Sequence, residues 1–414
     1  MRIAVAAHSS RRVGGVEQYL AAAVPALVRA GHDVACWFET DEGDHLPILD
    51  RGTAVTTWTA ARTREHAVPA LREWRPDVIY VQGVANVAVE GALLGVAPSV
   101  LFAHSYYGTC ISGTKTVQTP SPHACARTFG PACLLQYYPR RCGGWSPVTL
   151  LRRYELQRTR LELLDAYQSI VVASWHMAAE YARHVDGTKV RVVGLPIDSP
   201  RPVPPRRPRA NGWRLLYLGR LEASKGADVA LEAAARAAAA LMVPVHLQLS
   251  GAGTLHESLA ARALELMHAQ KNLQVTFTGW LEPHLVTAAL DQSDLLLVPS
   301  RWPEPFGMVG VEAALRGVPA VASAVGGIPE WLTDGATGRL VPEGPRRSAR
   351  FADAIVACLR DEPTLARMRD LGRSAAARFA MPSHLAALEP VLAAAAGLTS
   401  PAMAAVDETD GVFA

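Results

Sequence analysis

Two carboxylates stand out in one short stretch of the second half of the chain. From Ser300 to Gly317 the sequence reads S-R-W-P-E-P-F-G-M-V-G-V-E-A-A-L-R-G, with Glu304 in a predicted turn and Glu312 in a predicted helix. An ionised carboxylate accepts bidentate hydrogen bonds, and the vicinal hydroxyls of a sugar or a ribose are natural donors. We interpret the pair as two hydroxyl-binding groups, one for a sugar and one for a ribose. The alternative is a helix cap at Glu304 and a salt bridge at the edge of the core.

A buried strand and a helix must position these carboxylates. The preceding run from Asp294 to Val298 is apolar and too short for a helix, which predicts a buried strand. Gly307 lets the backbone approach a ligand, and helical spacing resumes from Met308 to Leu315. A strand, a tight turn and a helix in this order direct free backbone N–H groups and a positive dipole end at an anion.

A second loop carries two cations that suit a diphosphate. Arg220 and Lys225 lie in G-R-L-E-A-S-K-G, which starts at Gly219 between a predicted strand and a predicted helix. Arginine offers a planar fork of donors and lysine a compact point charge, so both can converge on one diphosphate. The alternative is a surface ion pair of Lys225 with Glu222, worth at most about 1 kcal/mol.

The two acidic residues also carry a family resemblance. Glu304 and Glu312, with Phe306 and Gly307 between them and G-V-P-A-V-A-S-A-V-G-G-I-P-E after them, resemble the E-x7-E signature of retaining glycosyltransferases of family 4. The G-R-L-x-x-x-K-G pattern is similar to the diphosphate site of that family. The resemblance implies the GT-B fold and a nucleotide diphosphate sugar donor, with Glu304 on the sugar hydroxyls and Glu312 on the ribose.

Further site residues follow from the same resemblance. The resemblance implies that backbone N–H groups from Phe306 to Met308 lie near the sugar and phosphate, and that the nucleotide base packs beside Trp280 and Leu281. It also implies that the turn containing Gly14 and Gly15 borders the donor and acceptor cleft. The residues assigned in this way to donor binding are Gly14, Gly15, Gly219, Trp280, Leu281, Phe306, Gly307, Met308 and Glu312.

His104 completes the predicted catalytic group, together with Glu304, Arg220 and Lys225. It ends a predicted strand and is expected to face the cleft, where a histidine can hydrogen-bond the donor sugar or assist proton transfer. The family often has His-Asp at this point, whereas this chain has His104-Ser105, so a purely structural histidine remains an alternative. No metal is required for catalysis if two cations and a helix dipole hold the phosphates, and the chain has no D-x-D pair.

Alternating strands and helices predict an α/β protein with two Rossmann-like domains, whose parallel sheets face a central cleft. A chain of 414 residues also exceeds what one hydrophobic core usually serves. The predicted parts are an acceptor-side domain (1–198) with a cysteine-containing insertion (106–146), a Pro/Arg-rich hinge (199–212), a nucleotide-sugar-binding domain (213–381), a helix that crosses back to the first domain (382–399) and a disordered tail (400–414).

Four cysteines cluster in the insertion, namely Cys110, Cys125, Cys133 and Cys142. A structural zinc bound by these thiolates is one interpretation, although the chain has no C-x-x-C spacing. Free buried thiols, disulfides and an iron–sulfur centre stay open. The aromatic residues of the insertion, such as Tyr106 and Tyr137, are expected either to stack on an acceptor or to form a small satellite core.

Composition limits the partners. The net charge of +3 argues against a nucleic-acid partner, and the N-terminus enters a predicted strand without a signal peptide. A cytoplasmic protein is therefore expected, with a peripheral contact at the inner face of the membrane left open. The acceptor is an unknown hydroxyl compound.

Three alternatives to a glycosyltransferase remain. Two of them have the same fold, namely a nucleotide-sugar epimerase and a phosphorylase, although the chain shows no motif for the pyridoxal phosphate that a phosphorylase would use. The third is a non-catalytic nucleotide-sugar-binding protein.

Overall fold

A computed structural model describes residues 1–12, 14–41, 46–49, 53, 55–60, 67–120, 122–197, 203 and 212–398. The boundary predicted at residue 198 lies outside the described residues. So do the predicted tail (400–414) and, apart from Val203 and Gly212, the predicted hinge (199–212).

The first half of the chain forms a parallel sheet of seven strands covered by helices. Its strand order is β3-β2-β1-β4-β5-β8-β9, and the central strands are apolar runs buried on both faces. The strands are β1 (Arg2–Ser9), β2 (Asp33–Thr40), β3 (Thr56–Thr59), β4 (Val78–Val81), β5 (Ser99–Ala103), β8 (Ser169–Val172) and β9 (Val190–Val192). The helices around this sheet are α1 (Gly15–Arg29), α2 (Ala67–Trp74), α3 (Val87–Leu94), α5 (Pro147–Leu164) and α6 (Trp175–Tyr181).

The insertion between β5 and α5 has its own small structure. It contains the antiparallel pair β6 (Thr116–Val117) and β7 (His123–Ala124), followed by the short helix α4 (Ala132–Gln136). Tyr137 and Phe129 are buried in a small core of their own, which confirms the satellite core among the two expectations for Tyr137. Tyr106 is fully buried in the core of the first sheet, so it is not exposed for stacking on an acceptor.

The second half repeats the architecture with six parallel strands in the order β12-β11-β10-β13-β14-β15. The strands are β10 (Trp213–Leu218), β11 (Val245–Ser250), β12 (Leu273–Gly279), β13 (Leu295–Val298), β14 (Ala320–Ser323) and β15 (Gly338–Val341). The helices are α7 (Ala227–Leu241), α8 (His256–Ala269), α9 (Pro283–Asp291), α10 (Met308–Leu315), α11 (Ile328–Trp331), α12 (Arg347–Arg360) and α13 (Glu362–Ala376). The predicted α/β class with two parallel sheets is confirmed.

The last helix, α14 (Met381–Ala395), packs on the first half of the chain beside α1, β4 and β5. Its His384 donates from Nδ1 to the Gly194 carbonyl at 2.8 Å and accepts at Nε2 from the Tyr19 hydroxyl at 3.0 Å. Glu389 of the same helix contacts His32 at 3.2 Å. These contacts tie α14, which follows the second sheet in the chain, to the first half of the chain. None of the helices in the described ranges is long and apolar enough to cross a membrane.

Candidate active site

The second sheet reverses its strand order between β10 and β13. In an open parallel sheet, ligands bind at the carboxyl ends of the strands on either side of such a reversal. Lys225 lies in the loop after β10 and Glu304 in the loop after β13. Gly226 lets these loops meet, because it has a positive φ of 73° and a Cβ atom there would lie 2.1 Å from the Pro299 carbonyl oxygen.

Lys225 and Glu304 form an ion pair at this point, with Nζ 2.7 Å from Oε1. The same Oε1 accepts a hydrogen bond from the Ser300 hydroxyl at 2.9 Å. The ammonium also lies 5.0 Å from the centre of the Trp302 ring, within the range of a cation–π interaction. No described residue donates a hydrogen bond to Glu304 Oε2, which leaves that oxygen available for a ligand.

Four consecutive carbonyl groups hold the Glu304 loop in place, since the oxygens of residues 303–306 each accept one hydrogen bond. Two of the donors belong to the first half of the chain and two to the second, so both halves fix the loop. For the carbonyl oxygens of residues 303, 304, 305 and 306, in that order, the donors are Tyr106 Oη at 2.7 Å, Gly327 N at 2.7 Å, Ser174 Oγ at 2.5 Å and Trp331 Nε1 at 2.7 Å.

Helix α10 begins directly after this loop. Gly307 is its N-cap residue, with a φ of 89° and no side-chain cap. The backbone N–H groups of Gly307, Met308 and Val309 donate to no described residue. They are therefore available to an anion, and the helix dipole adds about 0.3–1 kcal/mol. Phe306 itself is buried and packs edge-on against Phe379 at 5.2 Å, so its side chain is part of the core.

Glu312 lies one helical turn after Met308 and is partly buried. Its carboxylate makes no hydrogen bond and no ion pair with any described residue. Burial raises its pKa above the ordinary value for glutamate. An unpaired, partly buried carboxylate is costly, and a hydroxyl-bearing ligand would relieve that cost.

Arg220 is arranged differently from Lys225. Its side chain is 58% exposed and pairs with Glu222 at 3.0 Å. The Arg220 backbone is fixed through its carbonyl, which accepts from the Tyr217 hydroxyl at 2.8 Å. The structure therefore places the two cations in separate ion pairs. The proposed pair of Lys225 with Glu222 does not form, because Glu222 contacts Arg220.

The glycine and apolar donor-site residues occupy the carboxyl edges of the two sheets. Gly219 follows β10 and donates its N–H to the Ser250 carbonyl at 3.0 Å. At the end of β12, Trp280 is 65% exposed, whereas Leu281 packs partly against the core. Gly14 and Gly15 are exposed at the start of α1, and a Cβ atom on Gly15 would meet nothing within 4 Å. The space in front of Gly15 is thus open.

His104 follows β5 at the carboxyl edge of the first sheet. It stacks on Phe102 with ring centres 4.3 Å apart, and its Nε2–H donates to Gln82 Oε1 at 2.8 Å. Burial, and then the nearby His384, lower the pKa of His104 to about 3. The imidazole is therefore neutral at physiological pH, with the proton on Nε2 and a lone pair on Nδ1.

The four insertion cysteines are free thiols and line one small cavity. Cys110 Sγ accepts a hydrogen bond from the Lys115 backbone N–H at 3.3 Å. The buried Lys115 ammonium pairs with Glu180, which ties the insertion to α6. As they stand, no three His, Cys, Asp or Glu side chains of the described residues are arranged to hold a metal ion. The structural zinc stays a prediction.

Two residues that support the site were not identified from the sequence, namely Ser174 and Glu330. Ser174 caps α6 and also bonds the Pro305 carbonyl, and Glu330 Oε1 accepts from the backbone N–H of His176 at 3.1 Å. Their partners are distant in sequence, and no local pattern marked either residue. The Glu304 loop also packs closely against the Gly327 backbone. A Cβ atom there would lie 2.6 Å from the Pro305 carbonyl oxygen.

Two family profiles match adjacent parts of the chain. The profile described as Glycosyltransferase Family 4 matches residues 13–201, and the one described as Glycosyl transferases group 1 matches residues 204–375. Together they cover the second sheet and all of the first sheet except β1.

Individual proteins agree with these profiles. A glycogen synthase from Mycobacterium tuberculosis is 27% identical over 397 residues, covering 86% of this chain and 85% of that protein. A D-inositol 3-phosphate glycosyltransferase from Corynebacterium aurimucosum is 32% identical over 190 residues, covering 45% of this chain and 44% of that protein.

A solved structure supports the fold. Anabaena HepE in complex with UDP and glucose superposes with a TM-score of 0.63 at 19% identity, covering 95% of this chain and 100% of HepE. The predicted GT-B fold is confirmed. The chain belongs to family 4 of the glycosyltransferases.

Proposed function

We propose that the protein transfers a sugar from a nucleotide diphosphate sugar to a hydroxyl acceptor, with retention of anomeric configuration and without a metal. The acceptor is a polysaccharide, a lipid-linked compound or a small molecule. The observation that carries the proposal is the contact between Lys225 and Glu304 at the strand reversal of the second sheet. The UDP and glucose bound by HepE support a donor of this class.

Lys225 stabilises the leaving group in this proposal. As the bond between the sugar C1 and the diphosphate oxygen breaks, negative charge builds on that oxygen. An ammonium has three N–H donors, and Glu304 uses one, so the others can reach the phosphates. The free N–H groups at the start of α10 add partial positive charge, and Arg220 at the cleft surface can turn from Glu222 to the diphosphate. Removing one preorganised donor of this kind typically costs about 10²–10³ in rate.

The carboxylates bind the donor hydroxyls. Glu304 Oε2 accepts from the sugar while Oε1 stays with Lys225 and Ser300, so the sugar and the diphosphate are held by one connected group. Glu312 accepts from the ribose. His104 presents its Nδ1 lone pair to a sugar hydroxyl, since its Nε2 proton is engaged by Gln82. The acceptor oxygen forms its bond to C1 on the face that the diphosphate leaves, and its proton passes to the diphosphate.

The reaction can be tested with a panel of UDP-, GDP- and ADP-sugars, with and without EDTA. We expect slow donor hydrolysis without an acceptor, undiminished by EDTA, and NMR of the first-formed sugar should show the anomer of the donor. Interconversion of two nucleotide sugars would indicate an epimerase. Binding of the whole panel without turnover would indicate a non-catalytic binding protein, and loss of activity in EDTA would reject metal independence.

A further inference from the structure

The surface of the insertion and the start of α5 has an unusual charge pattern. Between Glu90 and Glu155 the sequence contains no aspartate or glutamate. The same segment contains Lys115 and five arginines. Arg141, Arg152 and Arg153 are exposed, and none of them forms an ion pair within the described residues. This surface therefore carries uncompensated positive charge.

The charge pattern ends within α5. In its second half, Arg158 lies between Glu155 at 3.3 Å and Glu162 at 3.8 Å, so its charge is balanced. The first two turns have arginines without such partners. The positive surface is thus confined to the insertion and the beginning of α5.

Large apolar side chains are exposed on the same surface. Leu135, Trp145, Val148 and Leu151 are 57% to 77% exposed. Tyr138 stacks on Trp145 with ring centres 6.1 Å apart, and the Arg141 guanidinium lies 5.3 Å from the Trp145 ring. We use the name insertion patch for these four apolar side chains together with those of Arg141, Arg152 and Arg153.

The residues of the insertion patch are close together along the chain, and part of the patch is joined by contacts at Trp145. Leu135 lies three residues before Tyr138, which contacts Trp145, and Val148 and Leu151 follow on adjacent turns of α5. Large apolar side chains exposed close together are a common feature of interaction sites. A tryptophan beside leucines and arginines suits the interface of a bilayer, where the indole sits at headgroup level and the arginines meet lipid phosphates.

We propose that the insertion patch binds the surface of a membrane that contains anionic lipids. The absence of acidic side chains favours a negatively charged partner, and the exposed tryptophan and leucines favour one with an apolar layer beneath that charge. Each basic residue near such a surface contributes about 1 kcal/mol, which is roughly a fivefold change in affinity. The insertion begins directly after His104, and its Tyr106 contacts the Glu304 loop, so a docked patch would bring the cleft near the lipid headgroups.

Sedimentation of the full chain with vesicles tests the proposal. We expect binding to equimolar phosphatidylcholine and phosphatidylglycerol, weak binding to phosphatidylcholine alone, and weakening with salt because the charges are screened. The double variant Arg152→Ala/Arg153→Ala should bind about 30-fold more weakly. The double variant Trp145→Gln/Leu151→Gln should also lose binding. Leu264→Gln, which removes an exposed leucine of α8, and Arg158→Ala, which removes a paired arginine, serve as controls and should bind like the parent.

Three results would overturn the proposal. The first is a parent protein that does not sediment with the anionic vesicles, and the second is patch variants that bind as tightly as the controls. The third is a change of oligomeric state in Trp145→Gln/Leu151→Gln by gel filtration, which would assign the patch to a protein interface. Donor hydrolysis measured without vesicles should be unchanged in every variant, which keeps this test separate from that of the proposed function.

Discussion

Lys225 Nζ lies 2.7 Å from Glu304 Oε1, although the two residues are far apart in sequence and follow different strands. The contact forms because β10 and β13 are parallel neighbours, so the loops at their carboxyl ends emerge side by side. Both side chains are largely buried, and a buried charge that loses its partner is strongly unfavourable. The pair therefore links the geometry of the Lys225 loop to that of the Glu304 loop.

Replacement of Lys225 by alanine should lower turnover by at least about 10²-fold, because the developing charge on the diphosphate loses a preorganised donor. Donor hydrolysis and transfer to an acceptor are the measurements. Lys271→Ala is the matched control, since Lys271 is an exposed lysine of the same domain. Turnover of Lys225→Ala within a few-fold of the parent would reject the role of Lys225, provided circular dichroism shows that the variant is folded.

Much of this arrangement follows from the sequence. The apolar run before Ser300 predicted a buried strand, and β13 (Leu295–Val298) occupies it. Helical spacing predicted a helix from Met308 to Leu315, and α10 has those bounds. Both signals are local, because a short apolar run and a 3.6-residue period reflect burial of the segment itself.

Other parts could not be predicted. The strands β3 and β15, with the sequences T-T-W-T and G-R-L-V, lack both a continuous apolar run and a clear alternation, and they are strands because a neighbouring strand pairs with them. The tethering of the Glu304 loop by Tyr106 and Ser174 depends on how the two halves of the chain meet. No local pattern encodes that contact.

Glu312→Gln should weaken binding of the nucleotide and abolish its pH dependence. Burial raises the pKa of Glu312, so the carboxylate of the free enzyme takes up a proton at a higher pH than an ordinary glutamate. Only the ionised form accepts two ribose hydrogen bonds, so affinity should be high above that pKa and fall as the pH falls through it. Calorimetric titration of UDP over a series of pH values measures this effect. An unchanged pH profile in Glu312→Gln would show that another group controls it.

The four insertion thiols should bind one zinc per chain. They line one cavity, and cysteine sulfurs are preferred ligands of structural zinc in proteins. Rotation about the Cα–Cβ bonds would have to bring the sulfur atoms together. Plasma mass spectrometry of the purified protein is the measurement.

Cys125→Ser/Cys142→Ser should lose that metal, and Cys358→Ala, in α12 of the second domain, should keep it. A parent without stoichiometric zinc contradicts the prediction. If the purified protein contains iron and acid-labile sulfide instead, the four cysteines bind an iron–sulfur centre.

His384 should make the fold sensitive to acid. Burial lowers its pKa to about 4, below the ordinary value of 6.5. Between these two pH values the unfolded chain binds a proton that the folded chain does not, so the free energy of unfolding falls as the pH falls. The contribution of His384 to the free energy of unfolding is fully present above about pH 6.5. Below that pH it decreases by up to about 1.4 kcal/mol per pH unit, and it levels off below about pH 4.

Urea denaturation at several pH values can isolate this contribution. His384→Asn keeps a donor for the Gly194 carbonyl but cannot titrate, so it should be less stable than the parent at neutral pH, and the difference should shrink as the pH falls towards 4. His268→Asn, at an exposed position of α8, should follow the parent at every pH. A constant difference between His384→Asn and the parent would mean that His384 is not buried in its neutral form. The contact between α14 and Tyr19 would then contribute to stability through packing alone.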